Sequence, residues 1–367
     1  MTIRPFAPGD DLALNEVFHD VPTPAGHVVR NLFRADPESP VSRCVVAALD
    51  ASSTGEDSAS GTSSAEGAGD ILVGAAAITE SPAHPERAWV HVEVAGSERR
   101  RGVGRDLLAA VRERAAGTAL ADLPLRARVE PGSAGEAAAR AIGFAPLFTT
   151  RVVEVAPGAL GSLGADRLED FEVTATGSVA LTRAFAEWYA GVNRADPAAE
   201  MTIGQVNTRF LSEAAGAHGA ALLRAAGSGN VAGSGKAESG KADSGRDREV
   251  TTFAVSYAQP ENDTAVEART PVSESPTAEL PPTELTLGSM YDAQADAVGD
   301  GAADASDAPA FQSALGDAAV LLARLSVDTP VALEVTSEMP VLSALVDGLL
   351  EAGQARVLQT YVTLGSE

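Results

Sequence analysis

One run constrains this chain more than any other: Val90-His-Val-Glu-Val-Ala-Gly-Ser-Glu-Arg-Arg-Arg-Gly-Val-Gly-Arg-Asp-Leu-Leu. Val90, Val92 and Val94 alternate with His91 and Glu93, the period of a strand with one buried face. Three arginines and the glycines Gly102 and Gly104 follow. The chain then takes up helical spacing, with Leu107, Leu108 and Val111 as an apolar stripe from Arg105 to Ala116. A strand that turns on glycines into a helix presents the first N–H groups of that helix without internal partners. Together with the helix dipole these form an anion site, and glycine lets a phosphate approach the backbone. The spacing is not that of a Rossmann loop, since Leu107 stands where the third glycine of GxGxxG belongs. GxxxxGK[ST] is absent too.

Around this run the pattern reads as a mixed α/β order. Strands are expected at Thr2–Pro8, Arg43–Leu49, Ile71–Thr79, Ala88–Val94, Leu123–Glu130 and Phe144–Val155. Helices are expected at Asp10–Asp20, with Leu12, Leu14, Val17 and Phe18 on one side, and at 27–35, Arg105–Ala116 and Gly135–Ile142, the last stopped by Gly143. This β-α-α-β-β-β-α-β-α-β order predicts an α/β fold whose sheet has both antiparallel and parallel parts.

The second half repeats the theme. Strands are expected at Phe171–Ala175, Ala220–Ala226, Val250–Ala258, Glu284–Asp292, Val331–Thr336 and Ala355–Leu364. Helices are expected at Ala180–Val192, Gly204–Ala215, Phe311–Leu325 and Val341–Ala352, with Gly353 matching Gly143. We read this as a divergent internal duplication, and 367 residues at about 150 per domain also suggest two domains. Four low-complexity stretches, 51–69, 227–248, 259–282 and 292–309, are too poor in bulky residues to offset the entropy of ordering and are expected as flexible loops.

The charge excludes some partners. With 51 acidic and 27 basic side chains the net charge is −24, which argues against nucleic acid and against anionic lipid. A cationic acceptor would suit such a surface. Cys44 is the one cysteine, so there is no disulfide or cysteine zinc site, and the five histidines form no HExxH. No metal is expected. The first residues lack a signal-peptide pattern and no apolar window reaches roughly 18 residues, so the expectation is a cytoplasmic protein with no membrane contact. Within this acidic chain, residues 99–128 carry eight arginines against three acids.

The pattern Arg99-x-x-Gly102-x-Gly104 after a mid-sheet strand resembles motif A of the GCN5-related N-acetyltransferase (GNAT) superfamily. Ile3-Arg4-Pro5 with Pro8-Gly9-Asp10 is similar to that family's first strand and turn. Ala139-Arg-Ala-Ile-Gly143-Phe144 is similar to its later helix end. The resemblance implies two GNAT-like acyl-CoA N-acyltransferase domains in tandem, at 1–157 and 170–367, the first binding acetyl-CoA. It places Val92 and Val94 at a splayed strand whose backbone holds the acetyl carbonyl and the pantetheine arm. It places Arg99, Arg100, Arg101, Gly102, Val103, Gly104 and Arg105 around the pyrophosphate. It implies direct transfer of the acetyl group to an amine, on a small molecule or a peptide, with Glu93 and then His91 as candidate catalytic residues; a homodimer is compatible with it.

The sequence departs from the family where Ala139 stands at the position of a tyrosine that often protonates the leaving thiolate. The second half has no phosphate loop, only an acidic Ala/Asp/Gly tract, and resembles a degenerate GNAT domain. These departures keep open an acyl-CoA-binding sensor or scaffold, and transfer of a longer acyl group is a third reading. Trp188 and Tyr189, with Asn193 and Arg194, are candidates either for a substrate cleft or for a core aromatic pair.

Overall fold

The computed structural model describes residues 1–18, 30–49, 71–226, 248–258, 282–294 and 308–367. The four low-complexity stretches lie almost wholly outside the described residues, as does the start of the helix expected at 27–35; residues 31–35 are turns rather than helix. The chain forms two compact units: residues 1–147 together with 362–367, and residues 148–361.

The first unit is built on β1 (Thr2–Pro5), β2 (Ser42–Leu49), β3 (Ile71–Thr79), β4 (Ala88–Val94) and β5 (Leu125–Val129), in that spatial order. Neighbours are antiparallel except β4 and β5, which are parallel. Its sixth strand is the end of β12 (Ala355–Gly365), whose Val362–Gly365 pair antiparallel with Arg126–Val129. Helix α1 (Asp10–Val17) covers one face of the sheet and α2 (Val103–Ala115) the other, while α3 (Ala134–Ala141) follows β5.

On α2, Val103, Leu107, Val111 and Ala115 are buried at four-residue spacing and Leu108 is partly buried, so the helical stripe of the sequence is realised. They pack on Ala76, Ile78 and Val90 of the sheet. Gly74 makes this approach feasible: a Cβ there would stand 2.9 Å from Leu107 Cδ1 and 3.0 Å from the Glu93 carbonyl oxygen. On α1 the expectation fails at Leu12, which is 68% exposed, whereas Leu14 is buried and Val17 and Phe18 are partly buried against the core. α1 is fastened by polar contacts instead: Asp10 accepts from Arg4 at 2.8 and 2.9 Å and from the Ala7 N–H at 2.7 Å.

The second unit has the same plan. β7 (Phe171–Thr174), β8 (Ala217–Arg224), β9 (Val250–Tyr257), β10 (Thr283–Ser289) and β11 (Val331–Thr336) follow one another, antiparallel except for the parallel pair β10–β11. β6 (Ala145–Val155) lies antiparallel to β11, and the first part of β12 completes this sheet. Its helices are α4 (Val179–Gly191), α5 (Ile203–Val206), α6 (Met290–Gln294), α7 (Pro309–Leu325) and α8 (Pro340–Glu351). The units divide after 147 and again after 361: residues 362–365 of β12 pair with β5 in the first unit, and residues 150–155 of β6 pair with β11 in the second.

Three local expectations change in this unit. The single helix expected at Gly204–Ala215 is one α-helical turn, a π-helical turn over Asn207–Leu211 and a 3₁₀ turn over Glu213–Ala215. The strand expected through Asp292 ends at Ser289 and passes directly into α6. Trp188 and Tyr189 pack with the core of this unit. Trp188 is 5% exposed against Phe253, Tyr189 stacks on Phe185 at 5.9 Å, Asn193 donates to the Tyr189 carbonyl and Arg194 to that of Ala293. The core alternative is the observed one. Gly143 (φ +95°) and Gly353 (φ +67°) occupy the left-handed region just past α3 and α8, as helix-stopping glycines do.

Candidate active site

In the first unit β4 has two different faces. Val90, Val92 and Val94 lie opposite Ile78, Ala76 and Gly74 of β3, on the side of α2. Trp89, His91 and Glu93 lie opposite Thr79, Ala77 and Ala75, on the side of α1. The parallel register between β4 and β5 covers only Ala88 with Leu125 and Trp89 with Arg126. Beyond Trp89 the two strands part, and the β4 edge from Val90 to Val94 is left without β5 as a partner. The resemblance implied a splayed strand at Val92–Val94; the register with β5 extends no further than Trp89.

The same strand runs straight into the glycine turn. Ala95 N–H donates to the Val73 carbonyl, a 3₁₀ turn spans Gly96–Glu98, and Arg99 Nε donates back to the Val94 carbonyl at 3.0 Å. Arg100 holds φ +67°, a left-handed conformation costly for a residue with a Cβ, and Gly102 holds φ +88° as the residue that caps α2. Non-glycine residues persist at such angles where the surroundings over-determine them, commonly at ligand clamps. The first N–H of α2 that bonds inside the helix is that of Asp106, to the Gly102 carbonyl. The N–H groups of Val103, Gly104 and Arg105 precede it and by helix geometry face outward. Arg100, Arg101 and Arg105 are exposed around them; Arg101 pairs with Glu98 at 3.0 Å.

Gly104 differs from Gly102. Its φ is not left-handed, and a Cβ there would meet Val94 and Val92 at 3.6 and 3.8 Å, ordinary contact distances. The fold therefore does not require glycine at 104. A bare backbone at this point matters to whatever approaches the helix start.

On the other face the two candidate catalytic residues meet. His91 Nε2 lies 3.6 Å from Glu93 Oε2, and the His91 ring packs on Phe33 at 5.0 Å. Glu93 is also held by Arg30, which donates through Nε at 3.1 Å and through NH2 at 2.8 Å and which also donates to the Phe18 carbonyl. Burial raises the Glu93 pKa, but hydrogen bonds from His91 and Arg30 and their charges outweigh it and hold the carboxyl below its ordinary value. A cavity of about 400 Å³ lined by Phe6, Leu14, Phe18, Arg30 and Phe33 opens beside this pair. Ala139 is packed in the core, so α3 supplies no acid from that position.

Sequence reasoning missed Arg30, Trp89, Arg126 and Arg128. The two β5 arginines belong to the basic stretch 99–128 but alternate with Leu125, Ala127 and Val129, which turns them to the face of Trp89, His91 and Glu93. That alternation was the available signal. Among the described residues no cluster of three or more His, Cys, Asp or Glu could hold a metal, and no helix is long and apolar enough to cross a membrane.

No family model matches the chain, and no curated protein does. Among solved structures, a GCN5-related N-acetyltransferase from Sphaerobacter thermophilus aligns over 100% of this chain and 95% of its own, with 13% identity and a TM-score of 0.52. A tandem GNAT protein from the clavulanic acid biosynthesis pathway aligns over 100% and 98%, with 15% identity and a TM-score of 0.48. A GCN5-related N-acetyltransferase from Kribbella flavida aligns over 99% and 71%, with 15% identity and a TM-score of 0.44. At these identities the likeness is one of fold: the chain has the mixed α/β fold of the GCN5-related N-acetyltransferases.

Proposed function

We propose that the first unit transfers an acetyl group from acetyl-CoA to an amine. The observation that carries this reading is the parting of β4 and β5 beyond Trp89, directly upstream of a glycine turn that opens the N-terminus of α2. The unpartnered edge of Val92–Val94 would hydrogen-bond the acetyl and pantetheine amides. The N–H groups of Val103, Gly104 and Arg105 would hold the pyrophosphate, with Arg100 and Arg105 adding charge and Arg99 bracing the turn against Val94. The thioester brings an acyl group activated for attack by a neutral amine.

The protein's own part is to orient that amine and take its proton. Of the two candidates, His91 is the better proton acceptor. The Glu93 carboxylate is engaged by the Arg30 fork and its pKa is lowered, so it is a weak base and a better positioning group for His91. Holding amine and thioester together would supply much of the rate. Among the described residues of the second unit, β10 passes directly into α6 without a glycine turn.

One observation favours the sensor reading. Glu93 is occupied by Arg30 and α3 offers no thiolate acid, which also suits binding without turnover. The discriminating experiment incubates the full chain with acetyl-CoA and a panel of amines and follows free CoA. Amine-dependent release supports transfer. Acetyl-CoA binding with no release across the panel would replace it with the sensor.

A further inference from the structure

The cavity of about 400 Å³ in the first unit lies between α1 and residues 30–35. Its volume falls at the small end of ligand sites, about 300–1,000 Å³. Its floor is apolar: Leu14 and Phe33 are buried, and Phe6 and Phe18 are partly buried beside them. Its rim is polar and exposed, with Asp11 and Asn15 on α1 and Asn31 and Arg34 across from them. The α1 wall follows from spacing, since Asp11, Leu14, Asn15 and Phe18 stand at i, i+3, i+4 and i+7 along one helical face. An apolar floor inside a polar rim is the form of a small-molecule site.

The rings of that floor lead to the candidate catalytic pair. The Phe18 and Phe33 centroids lie 6.3 Å apart, and Phe33 meets the His91 ring at 5.0 Å. Arg30, which also lines the cavity, lies over the Phe18 ring at 5.3 Å and holds Glu93. Two lining residues therefore touch the pair proposed to orient the amine and take its proton. Rings tilted at these separations favour a further ring over an alkyl chain of equal area, because the edge of one aromatic meets the face of the next. A ring seated against Phe18 and Phe33, at the roughly 5 Å spacing of packed rings, would reach His91 with an amine on an arm of about two or three carbons. A small amine would leave the apolar floor to water, which is unfavourable.

We propose that the acceptor is an arylalkylamine, whose ring occupies this cavity against Phe18 and Phe33 while its amine reaches His91. This rests on the acetyltransferase reading above and narrows its acceptor. It adds a shape requirement to the cationic acceptor that the net charge of −24 suggested.

The test supplies the full chain and acetyl-CoA with ethylamine, hexylamine, 2-phenylethylamine or tryptamine and follows CoA release. The aromatic amines should exceed ethylamine by roughly tenfold or more in kcat/KM, the effect of burying one ring, and should also exceed hexylamine. Phe18→Ala should remove most of that preference by raising KM for the aromatic amines, whereas Phe18→Leu should keep the part that comes from apolar area alone. Asn15→Trp fills the cavity from an exposed position of α1 and should lower the aromatic-to-ethylamine ratio by roughly tenfold. Thermal unfolding within a few degrees of the parent reports that each variant is folded. A merely structural role for Phe18 would lower turnover of all the amines alike and leave the ratio intact. If no amine is acetylated, the acetyltransferase reading fails separately, and saturation-transfer NMR with the same amines decides the cavity. Preferential binding of the aromatic amines that weakens in Asn15→Trp supports it. Equal treatment of hexylamine and the aromatic amines, or a preference that survives both Phe18→Ala and Asn15→Trp, overturns it.

Discussion

His91 and Glu93 stand 3.6 Å apart on one strand, and what separates their proposed roles is Arg30, 63 residues from Glu93 in sequence. The guanidinium fork stabilises the Glu93 carboxylate and so weakens it as a base. We expect His91→Asn to lower kcat by about a hundredfold or more, the usual scale for a lost general base, and Glu93→Gln by roughly tenfold. Neither should alter acetyl-CoA affinity much; a larger loss in Glu93→Gln than in His91→Asn would reverse the assignment. The strand alternation made both residues legible as a pair on one face. The ion pair that ranks them was not legible, since no local period links Arg30 to β4.

Asp292 makes a second case at this scale. It is fully buried, accepts from the N–H groups of Val341 and Leu342 at the start of α8, and lies near Arg194. Desolvation nonetheless dominates and pushes its pKa from 3.8 to about 7. Between those values the folded chain keeps a proton that the unfolded chain releases. The stability contributed by this group is therefore full below about pH 4 and lost as pH rises toward 7. Urea unfolding of the parent and Asp292→Asn across that range should show the parent losing ground to the variant as pH rises. A difference that does not change with pH would contradict this.

Elements with strict alternation came out of the sequence intact. Ala88–Val94 and Val331–Thr336 have the boundaries expected for them, because apolar residues at period two admit little else, and Ile71–Thr79 keeps its expected boundaries as a continuous apolar run buried on both faces. Elements decided by packing did not. The Gly204–Ala215 segment has helical composition but breaks into α, π and 3₁₀ turns, and Leu12 has the right spacing yet faces solvent. Gly74 shows the same dependence on the partner element. In sequence it is a glycine in a strand; in the structure it is the gap into which Leu107 of α2 fits. Gly74→Ala should cost about 1–3 kcal/mol through overpacking, read by denaturant unfolding, and Leu107→Ala in the same chain should recover part of that loss. An additive double variant would show that the two sites do not share the space.

At the scale of the molecule, the duplication was legible and the strand exchange was not. The two halves do repeat β-strand order and parallel pairing, but β12 ends in the first unit and β6 joins the second. Both candidate partners of β5 are apolar alternating strands, so period alone cannot choose between them. The net charge behaves similarly. The −24 is a property of the whole chain, whereas residues 99–128 carry eight arginines against three acids, some at the glycine turn before α2 and some on β5.

The β4–turn–α2 segment is the proposed acyl-CoA site. Gly104→Asp tests it most directly. An acid in the first turn of α2 favours the helix dipole, and the free protein has room for the side chain's Cβ at 3.6 Å from Val94. The variant should therefore fold as stably as the parent while repelling a pyrophosphate. Calorimetric titration with acetyl-CoA should give one site per parent chain and a loss of roughly a hundredfold or more in Gly104→Asp, from the added like charge and the blocked approach. Undiminished affinity in the folded variant, or a parent chain that binds none or two, would contradict the account.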